Sequence, residues 1–119
     1  MNKNHKVIAF SSPKGGTGTT TVAVLAALAA DGRVAIVDRS QNRQVLAVIG
    51  EAESDKPVVS TMSPNVDVIN DPELAAEAIV NGGGYDLVVI DRGVEHEPLE
   101  VIGDVENVIV TTQIGRAHV

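Results

Sequence analysis

Residues 6–21 read Lys6-Val7-Ile8-Ala9-Phe10-Ser11-Ser12-Pro13-Lys14-Gly15-Gly16-Thr17-Gly18-Thr19-Thr20-Thr21. Residues 7–11 read as a buried strand, with an unbroken apolar run from Val7 to Phe10. Residues 12–19 form a glycine-rich loop. Residues 20–30 form a helix, with Val22, Val24, Leu25 and Leu28 set among alanines. That helix is apolar on nearly every face, which implies packing on several sides. Asp31-Gly32 stops it.

A glycine loop between a buried strand and a helix is a phosphate cradle. Gly15, Gly16 and Gly18 let backbone N–H groups approach phosphate oxygens with no Cβ in the way. The helix N-terminus adds partial positive charge where the anion would sit. Thr20 stands where a hydroxyl would ligate Mg²⁺, and Thr21 is placed to donate to an inner phosphate. The general P-loop pattern is G-x-x-x-x-G-K-[ST]. Here Pro13 stands at its first glycine and Thr19 at its lysine.

Outward from the loop, strands and helices alternate. Residues 33–37 form a second buried strand ending at Asp38, and 41–49 a short helix closed by Gly50. Residues 51–64 read as a polar loop with an extended piece at 58–59. Residues 66–69 form a third strand. Asp71-Pro72-Glu73 starts a helix, with a capping Asp, a Pro in the first turn and an acid at the positive end of the dipole. It runs to about Val80 and ends at Asn81 and Gly82. Residues 85–90 form the most apolar strand, ending at Asp91. Residues 92–104 form a connection with a weak helical stretch, and 105–112 a last strand. This order predicts an α/β fold: a parallel sheet with helices on both faces, in three layers, joined by right-handed crossovers.

Composition bounds the function. The chain has 119 residues, enough for one small domain, and only 2% are aromatic, so Val, Ile, Leu and Ala must fill the core. The absence of cysteine excludes disulfides and thiolate metal sites. No apolar run approaches the roughly 18 residues of a membrane span, and residues 1–6 do not read as a signal peptide. A cytoplasmic protein is the expectation. A formal net charge of −7 disfavours direct contact with DNA or anionic lipid. His5, His96 and His118 are scattered, and Glu95-His96-Glu97 reads as an exposed charged loop. Arg39, Arg43 and Arg92 are candidates for contact with phosphate or a partner.

The run Lys14-Gly15-Gly16-Thr17-Gly18-Thr19-Thr20-Thr21 resembles the deviant Walker A motif, K-G-G-x-G-K-[ST]-T, of the ParA/MinD group of P-loop ATPases. The resemblance implies that Gly15, Gly16, Thr17, Gly18, Thr19, Thr20 and Thr21 wrap the phosphates of ATP. It also implies that Lys14 reaches across a nucleotide-sandwich homodimer to the partner's phosphates. Asp38 matches the family's first-switch aspartate, which positions the attacking water, and Ser40 replaces the second aspartate of D-x-D. The other reading of Asp38 is a strand-end aspartate capping the next helix. Asp91 matches the Walker B aspartate, which holds Mg²⁺ through water; Arg92-Gly93-Val94 follows where the family has T-P-P or similar.

Thr19 replaces the lysine that grips the β- and γ-phosphates in its own subunit. Losing a charge-assisted contact costs roughly 1.5–3 kcal/mol, about ten- to a hundredfold in affinity. At most weak ATP hydrolysis is expected. Three functions fit the resemblance. One is a nucleotide-dependent dimeric switch in DNA partitioning or in positioning a cellular assembly. The second is a catalytically degenerate localisation platform like the CpaE/TadZ branch, whose P-loops are often atypical. The third is an ATP-dependent carboxylate-activating synthetase of the dethiobiotin or cobyrinate type, against which the K-G-G form of the loop argues. A protein partner is expected in the first two. Residues 114–119 resemble the in-frame translation of a sequencing-library adapter. They are expected to be a non-native tail, leaving 1–113 as the N-terminal part of a longer nucleotide-binding domain. Any DNA or membrane contact is then expected only through the half that would follow.

Overall fold

The computed structural model describes residues 5–14, 18–40, 43–95, 97–99 and 105–111. The described elements are β1 (Lys6–Ser12), α1 (Thr19–Ala29), β2 (Val34–Asp38), α2 (Val45–Ile49), β3 (Val58–Ser60), β4 (Val66–Ile69), α3 (Pro72–Asn81), β5 (Leu87–Val94) and β6 (Val105–Ile109). The six strands form one sheet in the order β3-β4-β2-β5-β1-β6. Every neighbouring pair is parallel except β3 and β4. The expected parallel sheet is therefore mixed at one edge, where the extended piece of the polar loop folds back on β4.

Strand alternation sorts the core into two layers. Val34 and Ile36 of β2 join Phe10, Val89, Val68 and residues of α1 and α2 on one face. Ala35 and Val37 join Val7, Ile90, Ile69 and residues of α3 on the other. The direction of travel explains the sidedness. From β1 to β2 to β4 the chain moves one way along the sheet; from β4 to β5 to β6 it moves back. With right-handed crossovers, opposite directions put helices on opposite faces. β1 and β5 lie side by side where the direction reverses, and ligands of such sheets bind at the strand carboxyl ends there.

Local chemistry sets most boundaries. The Asp71 side chain accepts the Leu74 N–H at 2.9 Å, and Gly82 ends α3 at φ 86°. Further expectations change, beginning with the last strand, which was expected over 105–112 and ends at Ile109. The helix expected at 41–49 covers only Val45–Ile49, because Arg43 takes a left-handed φ of 49° and Gln44 is its cap; residues 41–42 lie outside the described residues. α1 packs against the sheet and α2 but not all round: Leu25 is 60% exposed, and Val22 and Leu28 are partly so. β5 does not end at Asp91 but continues to Val94. The tail at 114–119 lies outside the described residues. Among the described residues no helix is long and apolar enough to cross a membrane.

At the amino ends of the strands a polar stitch closes the sheet. Tyr85 donates its hydroxyl to Asp67 at 2.8 Å, and Arg33 pairs with the same carboxylate at 3.1 Å while its guanidinium lies 4.8 Å from the Tyr85 ring centroid. Burial first, then the Asp67 hydrogen bond and charge, push the Tyr85 hydroxyl up to about 12. A raised folded pKa means the neutral phenol is favoured in the native state, so its contribution is complete below pH 10 and fades as pH rises toward 12. Tyr85→Phe should cost about 1 kcal/mol in urea unfolding at neutral pH. It should also remove this part of the alkaline loss of stability, measured by repeating the unfolding between these limits.

Candidate functional site

At the head of α1 the chain turns on Gly18, with φ 81° and ψ 24°. A Cβ there would meet nothing within 4 Å, so the left-handed backbone, not space, calls for glycine. Thr19 and Thr20 follow in the first helical turn and are both buried, whereas Thr21 is exposed. Lys14 is exposed just past β1, and its carbonyl accepts the Ser12 hydroxyl at 2.9 Å. Gly15, Gly16 and Thr17 lie outside the described residues.

Thr20 Oγ1 donates to Asp91 Oδ2 at 2.6 Å, joining two residues 71 positions apart. Asp91 is fully buried, and its Oδ1 accepts the Gly93 N–H at 3.1 Å. Burial raises the Asp91 carboxyl pKa. Hydrogen bonds from Thr20 and Gly93 work against the rise, and the nearby Asp38 charge adds to it. A buried carboxylate beside a hydroxyl, with a second carboxylate in the facing strand position, is poised for a cation. Asp38 and Asp91 are register partners in β2 and β5.

These donors suit Mg²⁺. They are hard oxygens, and the hydroxyl of Thr20 spends its proton on Asp91, leaving its lone pairs for a cation. Among the described residues no group of three His, Cys, Asp or Glu could cage a metal without help. Mg²⁺ is commonly held in just this way, by one or two protein oxygens with water and substrate phosphates completing the shell.

Asp38 is more heavily engaged. Its Oδ1 accepts both the backbone N–H and the hydroxyl of Ser40, at 3.0 and 2.5 Å, and its Oδ2 accepts the Val45 N–H at 3.1 Å. Ser40 Oγ in turn accepts the Gln44 N–H at 3.3 Å. Asp38 thus ties down the first turn of α2, which is the capping alternative raised by the sequence. The Ser40 link has no signal in the sequence beyond the loss of the D-x-D aspartate.

Gly93 is a second residue the sequence did not single out. Phe10 pairs with Asp91 but Ser11 pairs with Gly93, so Arg92 is an extra residue in a β-bulge and Gly93 takes φ 67°. The bulge lets β5 continue while turning the Gly93 N–H onto Asp91. Arg92 pairs with Glu95 at 3.3 Å and donates to the Glu97 carbonyl at 2.6 Å.

No protein-family model matches the chain, and no curated protein matches it significantly. Solved structures do. The ATP complex of a Cyanothece McdA variant is 17% identical with a TM-score of 0.62, over 80% of this chain and 50% of that one. A plasmid partition protein from Borrelia burgdorferi bound to AMPPNP is 20% identical with a TM-score of 0.58, over 78% and 55%. The kinase domain of the Escherichia coli tyrosine kinase ETK is 18% identical with a TM-score of 0.50, over 78% and 48%. The chain therefore shares the α/β fold of these structures, and it spans about half their length.

Asp91→Asn separates stability from cation binding. The amide oxygen can keep the bond from the Gly93 N–H, while the amide NH2 would donate to Thr20 Oγ1 in a reversed bond, and the change removes a buried charge whose folded pKa is raised. A raised folded pKa costs stability as pH climbs above the ordinary carboxylate range, so the variant should melt higher than the parent at neutral pH without metal. The same variant should lose about 10–100-fold in Mg²⁺-dependent nucleotide affinity. Thermal melts and calorimetric titration check the two halves.

Proposed function

We propose that the chain is part of a ParA/MinD-like ATP-binding switch that positions a cellular cargo. The observation that carries this is the 2.6 Å bond from Thr20 to buried Asp91, at the head of the helix that follows the glycine loop. In this reading Gly15, Gly16, Thr17, Gly18 and Thr19 wrap the phosphates, and Thr21 donates to an inner one. Thr20 ligates Mg²⁺ and Asp91 holds it through water. The metal, once bound, neutralises phosphate charge. Lys14, exposed beside the loop, acts across a nucleotide-dependent homodimer, which favours that role over a grip on its own subunit's nucleotide. Partition proteins among the structural neighbours support the assignment to spatial organisation. A protein partner follows from that role, and contacts with DNA or membrane would come through sequence outside this chain.

A second reading, a nucleotide-holding platform with little turnover, is favoured by one observation. Asp38, the residue that would orient the hydrolytic water, has both oxygens committed to Ser40 and Val45. Thr19, in place of the phosphate-gripping lysine, points the same way.

Calorimetric titration with Mg²⁺ and ATP tests the site. Thr19→Lys should tighten ATP binding by about ten- to a hundredfold; no change would mean that the loop does not hold phosphate in this manner. Thr20→Ala should weaken it and remove its dependence on Mg²⁺. Steady ATP hydrolysis above that of Lys14→Ala would count against the platform reading.

A further inference from the structure

On the α3 face, beyond the ends of β2 and β4, lies a cleft of about 460 Å³. Its floor is apolar: Val37, Ile69, Ala75 and Ile79, all part of the core beneath α3. Its α3 wall runs out through Ala76 and Val80, which are exposed and one helical turn apart. Its other rim carries Arg39 and Arg43. The chain has only nine Lys and Arg against sixteen Asp and Glu, so two arginines on one rim form a local exception. Among the described residues Arg33 and Arg92 are each paired with an acid, whereas the Arg39 and Arg43 side chains have no ion-pair partner. Arg43 is also the one described non-glycine residue with positive φ, a conformation a long side chain rarely adopts.

We propose that this cleft docks an acidic, amphipathic peptide segment of a partner protein. Its carboxylates would sit on Arg39 and Arg43, and its apolar side chains along α3. Charge complementarity selects the acid: arginine forks pair carboxylates with two parallel hydrogen bonds. The apolar wall that emerges onto the surface suits a chain that continues past the cleft. Neighbouring acids exclude an extended polyanion. Beyond Arg43 a second hollow bears Glu51, Glu53 and Asp55. A nucleic acid would meet these charges; a peptide with one or two carboxylates need not. Asp38 also lines the cleft, with its oxygens held by Ser40 and Val45, and the Arg39 N–H donates to the Asp91 carbonyl at 2.8 Å, so the groove lies beside the nucleotide site of the proposed function.

The test is fluorescence anisotropy on the full 119-residue chain, with a labelled peptide carrying glutamates and leucines at i, i+4 spacing. Saturable binding is expected, weakening by about tenfold for each of Arg39→Glu and Arg43→Glu and falling with added salt. The matching lysine–leucine peptide should bind the doubly charge-reversed chain better than the parent. Ala76→Glu, which leaves both arginines in place, should also weaken the acidic peptide. Absence of binding, equal binding to the charge-reversed chain, or indifference to Ala76→Glu would overturn the proposal. So would displacement of the peptide by ATP that Arg39→Glu abolishes, since the cleft would then belong to the nucleotide. Nucleotide titration of Thr20→Ala, run in parallel, fails or succeeds independently of these results.

Discussion

The hydrogen bond from the Thr20 hydroxyl to the Asp91 carboxylate is the constraint on which the functional end of the molecule depends. It fastens the first turn of α1 to the central strand β5. The bond also keeps a fully buried carboxylate in the sheet. Burial penalises that charge, and a site that tolerates it away from any cation trades stability for readiness to bind one. Asp38, its register partner, resolves the same problem differently. Its oxygens are used within the chain, on Ser40 and on the start of α2. The two aspartates therefore differ in kind: one faces the head of α1, and the other is a brace for the loop after β2.

Much of this was legible in the sequence, and the pattern of success is physical. β4 was read at its observed bounds, Val66–Ile69, and the start of α3 at Asp71-Pro72, because cap, proline and apolar run are contiguous in the chain. The strand–loop–helix around Gly18 was legible for the same reason. The ends of α2 and β5 were not. α2 begins late because Arg43 adopts a left-handed conformation and because the Val45 N–H is taken by Asp38, seven residues upstream. β5 outlasts its apolar run because backbone pairing with β1 continues through polar residues once the bulge at Arg92 is absorbed. Hydropathy reports burial of side chains; it does not report a ladder that persists beyond them.

The candidate site was legible as positions rather than as contacts. Thr20 and Asp91 were both singled out, but only the fold brings them to hydrogen-bond distance. Ser40 and Gly93 entered the sequence reading only as departures from a motif, yet each donates to the aspartate beside it. Arg39 and Arg43 were candidates for phosphate or partner contact, and they share a cleft on the α3 side of the sheet, the side on which Ala35 and Val37 of β2 also lie, whereas Asp91 bonds to the head of α1.

The most direct test of the central claim is a crystal structure of the chain with AMPPNP and Mg²⁺. The account places Mg²⁺ about 2.1 Å from Thr20 Oγ1, with Asp91 reaching it through a water and the phosphates lying over the head of α1. A nucleotide bound away from Thr20, or held there with no cation between it and Asp91, would contradict it.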